Sequence, residues 1–269
     1  MAETSSADPN DPFSLTDEQV LERIESLTAG LMSFWKDVMS WAPVEAADIL
    51  KGSMLEWQTS LATSLKRWVD CTSVGDLILA WTNLGSLAEG ALKLFLCAYF
   101  LDYLGSSKSS IEKKGEKKGK TESQIEEMQA KINTPDGLAL EGLKVFFAEH
   151  VWDNKAEHHL YLTDLQAKRN AVHAFQKKEI GTFTDFKRSI RHHLLMLRDL
   201  NDRLPYPDEI YRPTEKGWVV SSFSEDPQEP NILNMGQGLV TTTITRNNKV
   251  VSHKVEIIEV SNTLGRDKQ

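Results

Sequence analysis

Hydrophobic positions recur every 3.6 residues through most of this chain and every second residue near its end. Val20, Ile24, Leu27, Leu31, Phe34 and Val38 form a helical stripe that stops before Pro43, and Thr16 with Gln19 spells a capping box in front of it. Leu50, Met54, Trp57, Leu61, Leu65 and Trp68 predict a second helix from about Val44 to Val69. The two read as an antiparallel helical hairpin over residues 16–72, behind a loose polar arm at 1–15. Ser73 and Asp76 cap a long helix to about Leu104 that is apolar on nearly all sides, as the central helix of a bundle is. GSSKSSIEKKGEKKGKTE, with six lysines, predicts a Lys-rich loop over 105–122, read as a solvated loop or, functionally, as a mobile basic arm that meets phosphates.

Thr121 and Gln124 cap a short polar helix to about Ile132, and Thr134-Pro135 opens another with Leu138, Leu140, Leu143, Phe146, Phe147 and Val151 inside. A helix follows from about Ala156 to Lys177. Gly181 ends it, and Thr182 with Asp185 caps a last helix to about Leu204. LPYPDEIYRP is too rich in proline for helix or central strand and reads as an extended connector. Beyond it Trp218–Phe223, Val240–Arg246 and Lys249–Val260 have strand character, the last two joined by an Asn247-Asn248 turn. The expected fold is mainly α. It consists of a helical bundle over 73–204, the N-terminal hairpin, and a connector with a small C-terminal antiparallel β appendage over 205–269.

Composition narrows the function classes. Forty per cent hydrophobic residues suffice for a core, and a formal charge of −8 argues against broad wrapping of nucleic acid while leaving room for a local basic site. Cys71 and Cys97 sit in apolar helical contexts and suggest a reducing, cytoplasmic setting. MAETSSADPNDPF has neither a basic start nor an apolar core, so no secretory signal is expected. Leu77–Leu104 is interrupted by Asn83, Glu89, Lys93 and Asp102, so no membrane span is expected. His158-His159 and His192-His193 are adjacent pairs, which point about 100° apart on a helix and rarely share an ion. With no HExxH, CxxC, GxGxxG, P-loop or GxSxG pattern, neither a metal nor a nucleotide cofactor is expected.

The remaining chemistry lies in AEHHLYLTDLQAKRNAVHAFQK. On a helical wheel Arg169 shares the apolar face of Tyr161, Leu162, Leu165 and Val172, and His173 lies one turn on at its edge. A guanidinium there keeps its proton and needs a carboxylate, a phosphate or a subunit boundary opposite it. Glu89 has Lys93 four residues on and suits an ordinary intrahelical pair. Arginine can fork onto phosphate oxygens and histidine titrates near neutrality, so both could address one phosphodiester without a metal. The competing reading makes Arg169 and His173 structural.

Lys168-Arg169-Asn170-Ala171-Val172-His173 resembles the arginine–polar–histidine motif of HEPN domains (higher eukaryotes and prokaryotes nucleotide-binding), and Trp81 through Lys93 resembles their first long helix. The likeness spans roughly Asp76 to Leu204. Family motifs place four to six residues between arginine and histidine, whereas three separate Arg169 from His173. The resemblance implies a metal-independent ribonuclease of toxin–antitoxin or antiviral-defence type, with Arg169, His173 and Asn170 catalytic, His158 and Lys168 in support, and Glu89 reaching across to hold Arg169 in place of pairing with Lys93. It also implies a homodimer that joins two motifs in one cleft, with RNA as substrate and a neutralising or regulatory protein as a further partner. The short spacing equally suits a member that kept the fold for dimerisation or partner binding and lost catalysis.

Overall fold

Side-chain caps decide where four of the helices begin. Thr16 accepts from the Gln19 backbone N–H while the Gln19 side chain accepts from the Thr16 N–H, and the Thr121/Gln124 and Thr182/Asp185 pairs repeat this reciprocal arrangement. Ser73 accepts from the Asp76 N–H. The computed structural model describes residues 11–152, 156–173, 177–206, 212–215, 239–246 and 249–257. It is mostly helical: α1 (Asp17–Val38), α2 (Val44–Gly52), α3 (Leu55–Ser64), α4 (Val74–Ala98), α5 (Phe100–Lys117), α6 (Glu122–Gln129), α7 (Leu140–His150), α8 (Ala156–Arg169) and α9 (Phe183–Arg203). Short 3₁₀ turns occupy Leu65–Trp68, Pro135–Gly137 and Asn170–His173. Among the described residues no single helix is long and apolar enough to cross a membrane.

α4 is the hub, packing against α1, α2, α3, α5, α7, α8 and α9. Its Trp81, Leu84, Leu87 and Leu92 are fully enclosed, and one continuous core joins them to Leu31 and Trp35 of α1, Phe147 of α7, Leu165 of α8 and Leu197 of α9. Truncating an enclosed tryptophan or phenylalanine of this kind to alanine typically costs ~3–5 kcal/mol.

Four expected elements ahead of α8 differ. The expected Val44–Val69 helix breaks at Ser53, whose extended backbone is stabilised by its own hydroxyl donating to the Leu50 carbonyl at 2.7 Å. The break changes the phase, leaving Met54 and Trp57, expected inside, 58% and 64% exposed. The long central helix ends at Ala98, and the chain turns by 94° through Tyr99 into α5. The Lys-rich stretch is not a loop: α5 continues to Lys117, because lysine and glutamate favour helix and Ile125 of α6 packs over Gly115. Gly119, at φ 65°, closes the helix, with the Lys120 N–H donating to the Gly115 carbonyl at 3.1 Å. Pro135 opens a single 3₁₀ turn rather than α7.

The chain after α9 returns to the bundle. Tyr206 donates to Asn201 at 2.7 Å and meets the Phe34 ring at 4.6 Å, and Glu215 takes ion pairs from Arg23 of α1 and Arg198 of α9. Residues from Val220 onward form a separate unit, in which β1 (Leu239–Arg246) pairs antiparallel with β2 (Lys249–Ile257), Arg246 opposite Lys249. Trp218–Phe223 and the Asn247-Asn248 turn lie outside the described residues.

The histidine doublets behave as helical geometry demands, with one member of each turned inward. His193 is fully enclosed, its Nδ1 3.2 Å from the Tyr161 hydroxyl, and burial pushes its imidazole down to about 3 from 6.5. Between those two pH values the unfolded chain binds a proton that the folded chain refuses, so folding stability falls as pH falls. The expected slope is up to ~1.4 kcal/mol per pH unit from this one group. Thermal melts of the wild type and His193→Gln from pH 7 to pH 4 should diverge in slope, the wild type losing stability faster. Parallel curves would show that His193 is not the acid-sensitive group.

Candidate functional site at the α4–α8 seam

Trp81, Gly85 and Glu89 stand four residues apart and so form one column along α4. The C-terminal end of α8 lies against that column. The Lys168 ammonium sits 4.6 Å from the centre of the Trp81 ring and 2.7 Å from the Asp164 carboxylate. The aliphatic stem of Arg169 rests on Gly85. A Cβ at that glycine would run into Arg169 Cδ and stand 3.0 Å from Cγ, so the absence of a side chain is what lets α8 approach. The Arg169 guanidinium then ion-pairs with one Glu89 oxygen, while Lys93 approaches the other at 2.9 Å. Both partners foreseen for Glu89 are therefore engaged at once. Lys93 also donates to the Asp136 carbonyl at 3.0 Å, and Trp81 Nε1 donates to the Ile180 carbonyl at 2.9 Å.

Electrostatics follow from that geometry. Burial raises the Glu89 carboxyl, but the hydrogen bonds and charges of Lys93 and Arg169 outweigh it and hold the group below its ordinary range. The Arg169 side chain is 29% exposed and that of Glu89 19%, so the pair is shielded without being sealed.

α8 ends at Arg169, and Asn170–His173 is a 3₁₀ turn. This corrects the expectation of a continuous α-helix to Lys177. Val172, placed on the buried face by the helical wheel, is 42% exposed. Residues three apart are eclipsed in a 3₁₀ turn, so Asn170 and His173 align with each other more closely than Arg169 does with His173. Asn170 and His173 are both exposed, and neither has a hydrogen-bond partner among the described residues.

The structure separates His158 from this group. It is buried between α8 and α9, its ring 5.1 Å from Trp152 and its Nε2 4.0 Å from the Asp199 carboxylate. Arg169 lies about 16 Å further along the helix at 1.5 Å per residue. The contribution of Gly85 was missed by sequence reasoning. Its signal was a glycine four residues before Glu89 in an otherwise strong helix, where glycine costs ~1 kcal/mol against alanine.

Among the described residues no group of three His, Cys, Asp or Glu side chains is placed to hold a metal ion. Burial raises the Cys97 thiol to about 12, so its thiolate is scarce at neutral pH. No protein-family model, curated protein or solved structure matches the chain.

The seam makes a double-mutant test available. Gly85→Ala should destabilise by about 1–3 kcal/mol despite alanine's better helix propensity, because the new methyl displaces the Arg169 stem. In an Arg169→Ala background the same change should be neutral or stabilising. Equal penalties in both backgrounds, measured by urea denaturation, would show that Arg169 does not rest on Gly85.

Proposed function

We propose that the chain is a HEPN-like protein whose Arg169–Asn170–His173 edge acts on RNA phosphodiesters as a metal-independent endoribonuclease. The observation that carries this reading is the Glu89–Arg169 ion pair. It holds a guanidinium in a fixed position that still reaches solvent, next to an exposed Asn170 and an exposed His173. A preorganised cation costs no rearrangement as charge builds on a phosphate, and its fork geometry suits the equatorial oxygens. The His173 imidazole has nitrogens that can give a proton to the leaving oxygen or take one from the attacking 2′-hydroxyl. Lys93 and Lys168 leave the seam with more positive than negative charge in an acidic chain. One copy offers a single arginine and a single histidine, so a two-fold homodimer completing one cleft belongs to this reading, as does a protein that restrains the activity.

A second reading, a non-catalytic dimerisation or partner-binding module, draws on the same geometry. Arg169 is tied into the packing of α4 and α8, and the 3₁₀ turn takes His173 off the helical column that Arg169 would share with it.

The two readings part in one assay. At concentrations that favour dimers, and with EDTA present, the wild type should cleave RNA, and His173→Ala should lose at least about 100-fold in rate. Because His173 is exposed, that variant should keep the wild-type melting temperature. Absence of cleavage by the wild type, or full cleavage by His173→Ala, would move the assignment to the binding module.

A further inference from the structure

The 94° turn between α4 and α5 opens a cleft of about 360 Å³ remote from the α4–α8 seam. Pockets that bind small molecules begin at roughly 300 Å³. Aromatic side chains from three helices and the turn line it: Phe95 of α4, Tyr99 at the turn, Tyr103 of α5 and Phe146 of α7. Neighbouring rings brace one another, Phe95 and Tyr99 at 5.0 Å and Tyr103 and Phe146 at 5.0 Å. The two tyrosine hydroxyl protons are already committed. Tyr99 donates to the Arg203 carbonyl and Tyr103 to the Asn133 carbonyl at 2.5 Å. Polar recognition in the cleft therefore falls to its other lining groups, Asp102, Ser106, His150 and Arg203.

Two of those four are also committed. His150 Nε2 is 3.1 Å from the Ser110 hydroxyl with its ring against Phe146 at 4.7 Å, and Arg203 gives its Nε to the Asp199 carboxylate at 2.9 Å, so its charge is paired. Asp102 and Ser106 have no hydrogen-bond or ion-pair partner among the described residues. They stand four apart on one face of α5, where a carboxylate and a hydroxyl can both accept from N–H donors.

We infer that this cleft is a binding site for a small organic ammonium ion with an aromatic or similarly flat apolar body. Two features select that class. Aromatic walls attract a cation as well as apolar surface, and the unpaired lining charge is a carboxylate. Asp102 takes the ammonium, Ser106 accepts a second N–H, and the rings enclose the apolar body.

Calorimetry and protein NMR with 2-phenylethylammonium as the probe test this on the full chain at neutral pH. The expected result is saturable binding, with the isosteric neutral 2-phenylethanol and the Asp102→Asn variant each weaker by about tenfold or more. Asp102 is exposed, so Asp102→Asn should fold as the wild type does. Ser106→Phe, which fills the cleft, should abolish binding while RNA cleavage, where present, is unchanged. No saturable binding by the wild type, equal affinity for the alcohol, or undiminished binding in Asp102→Asn would each overturn the inference.

Discussion

A carboxylate on the central helix of a bundle has few ways to stay charged, and the structure is arranged around the solution found for Glu89. The helix that carries it is contacted by seven others and is apolar on nearly all sides. An unpaired charge there would cost several kcal/mol or force the carboxyl to take a proton. One cation, Lys93, comes from the same helix; the other, Arg169, must come from a helix eighty residues on. Arg169 reaches it because Gly85 removes the side chain that would stand in the way. Replacing any one member leaves the others with an unbalanced charge or an unfilled contact, which is why a partly buried ion pair is worth more to the packing of two helices than an exposed one.

What the sequence could and could not reveal divides along the range of the interactions involved. Caps are local, and Thr16/Gln19, Ser73/Asp76, Thr121/Gln124 and Thr182/Asp185 all open helices where their spacing predicts. Endings and bends depend on what packs from outside. The 105–122 stretch looks like a solvated loop until Ile125 is laid across Gly115, and the turn at Tyr99 is held by a hydroxyl bond to Arg203, 104 residues away. Ser53 breaks a helix with its own side chain, but serine is also common inside helices, so composition alone did not decide it. At the seam, the Arg169–Glu89 contact was legible as one of two alternatives. Its coexistence with Lys93 was not, because a helical wheel has no means of showing that one carboxylate's two oxygens are used separately. The aromatic cleft draws its lining from four helices and had no counterpart in any local pattern.

α4 also accounts for the placement of both sites. Its middle faces α8 and supplies the Trp81–Gly85–Glu89 column, and its end and C-cap supply Phe95 and Tyr99 to the cleft. Glu89 and Tyr99 are separated by about 15 Å of helix at 1.5 Å per residue. Between them lie Leu92, Leu94, Phe95 and Leu96, all inside the core. A rigid, buried rod of this kind fixes side chains at both places to within the tolerance of close packing, whereas the exposed faces of α2 and α3 offer no such support.

The intrahelical Lys93 pair, which sequence reasoning treats as a competitor of Arg169 for Glu89, changes the net charge of the seam. An isolated Glu89–Arg169 pair would be neutral, and a phosphate approaching it would gain little. With Lys93 on the second carboxylate oxygen, the cluster of three carries one net positive charge, while Lys168, held over Trp81, is paired with Asp164 and leaves that balance unchanged. The carboxylate then orients the guanidinium without cancelling the local field. The same arrangement limits how far the arginine can move, since its stem is trapped against Gly85 and its head is hydrogen-bonded. Any phosphate partner must therefore come to Arg169 at the surface beside Asn170 and His173, and cannot draw the arginine out to meet it.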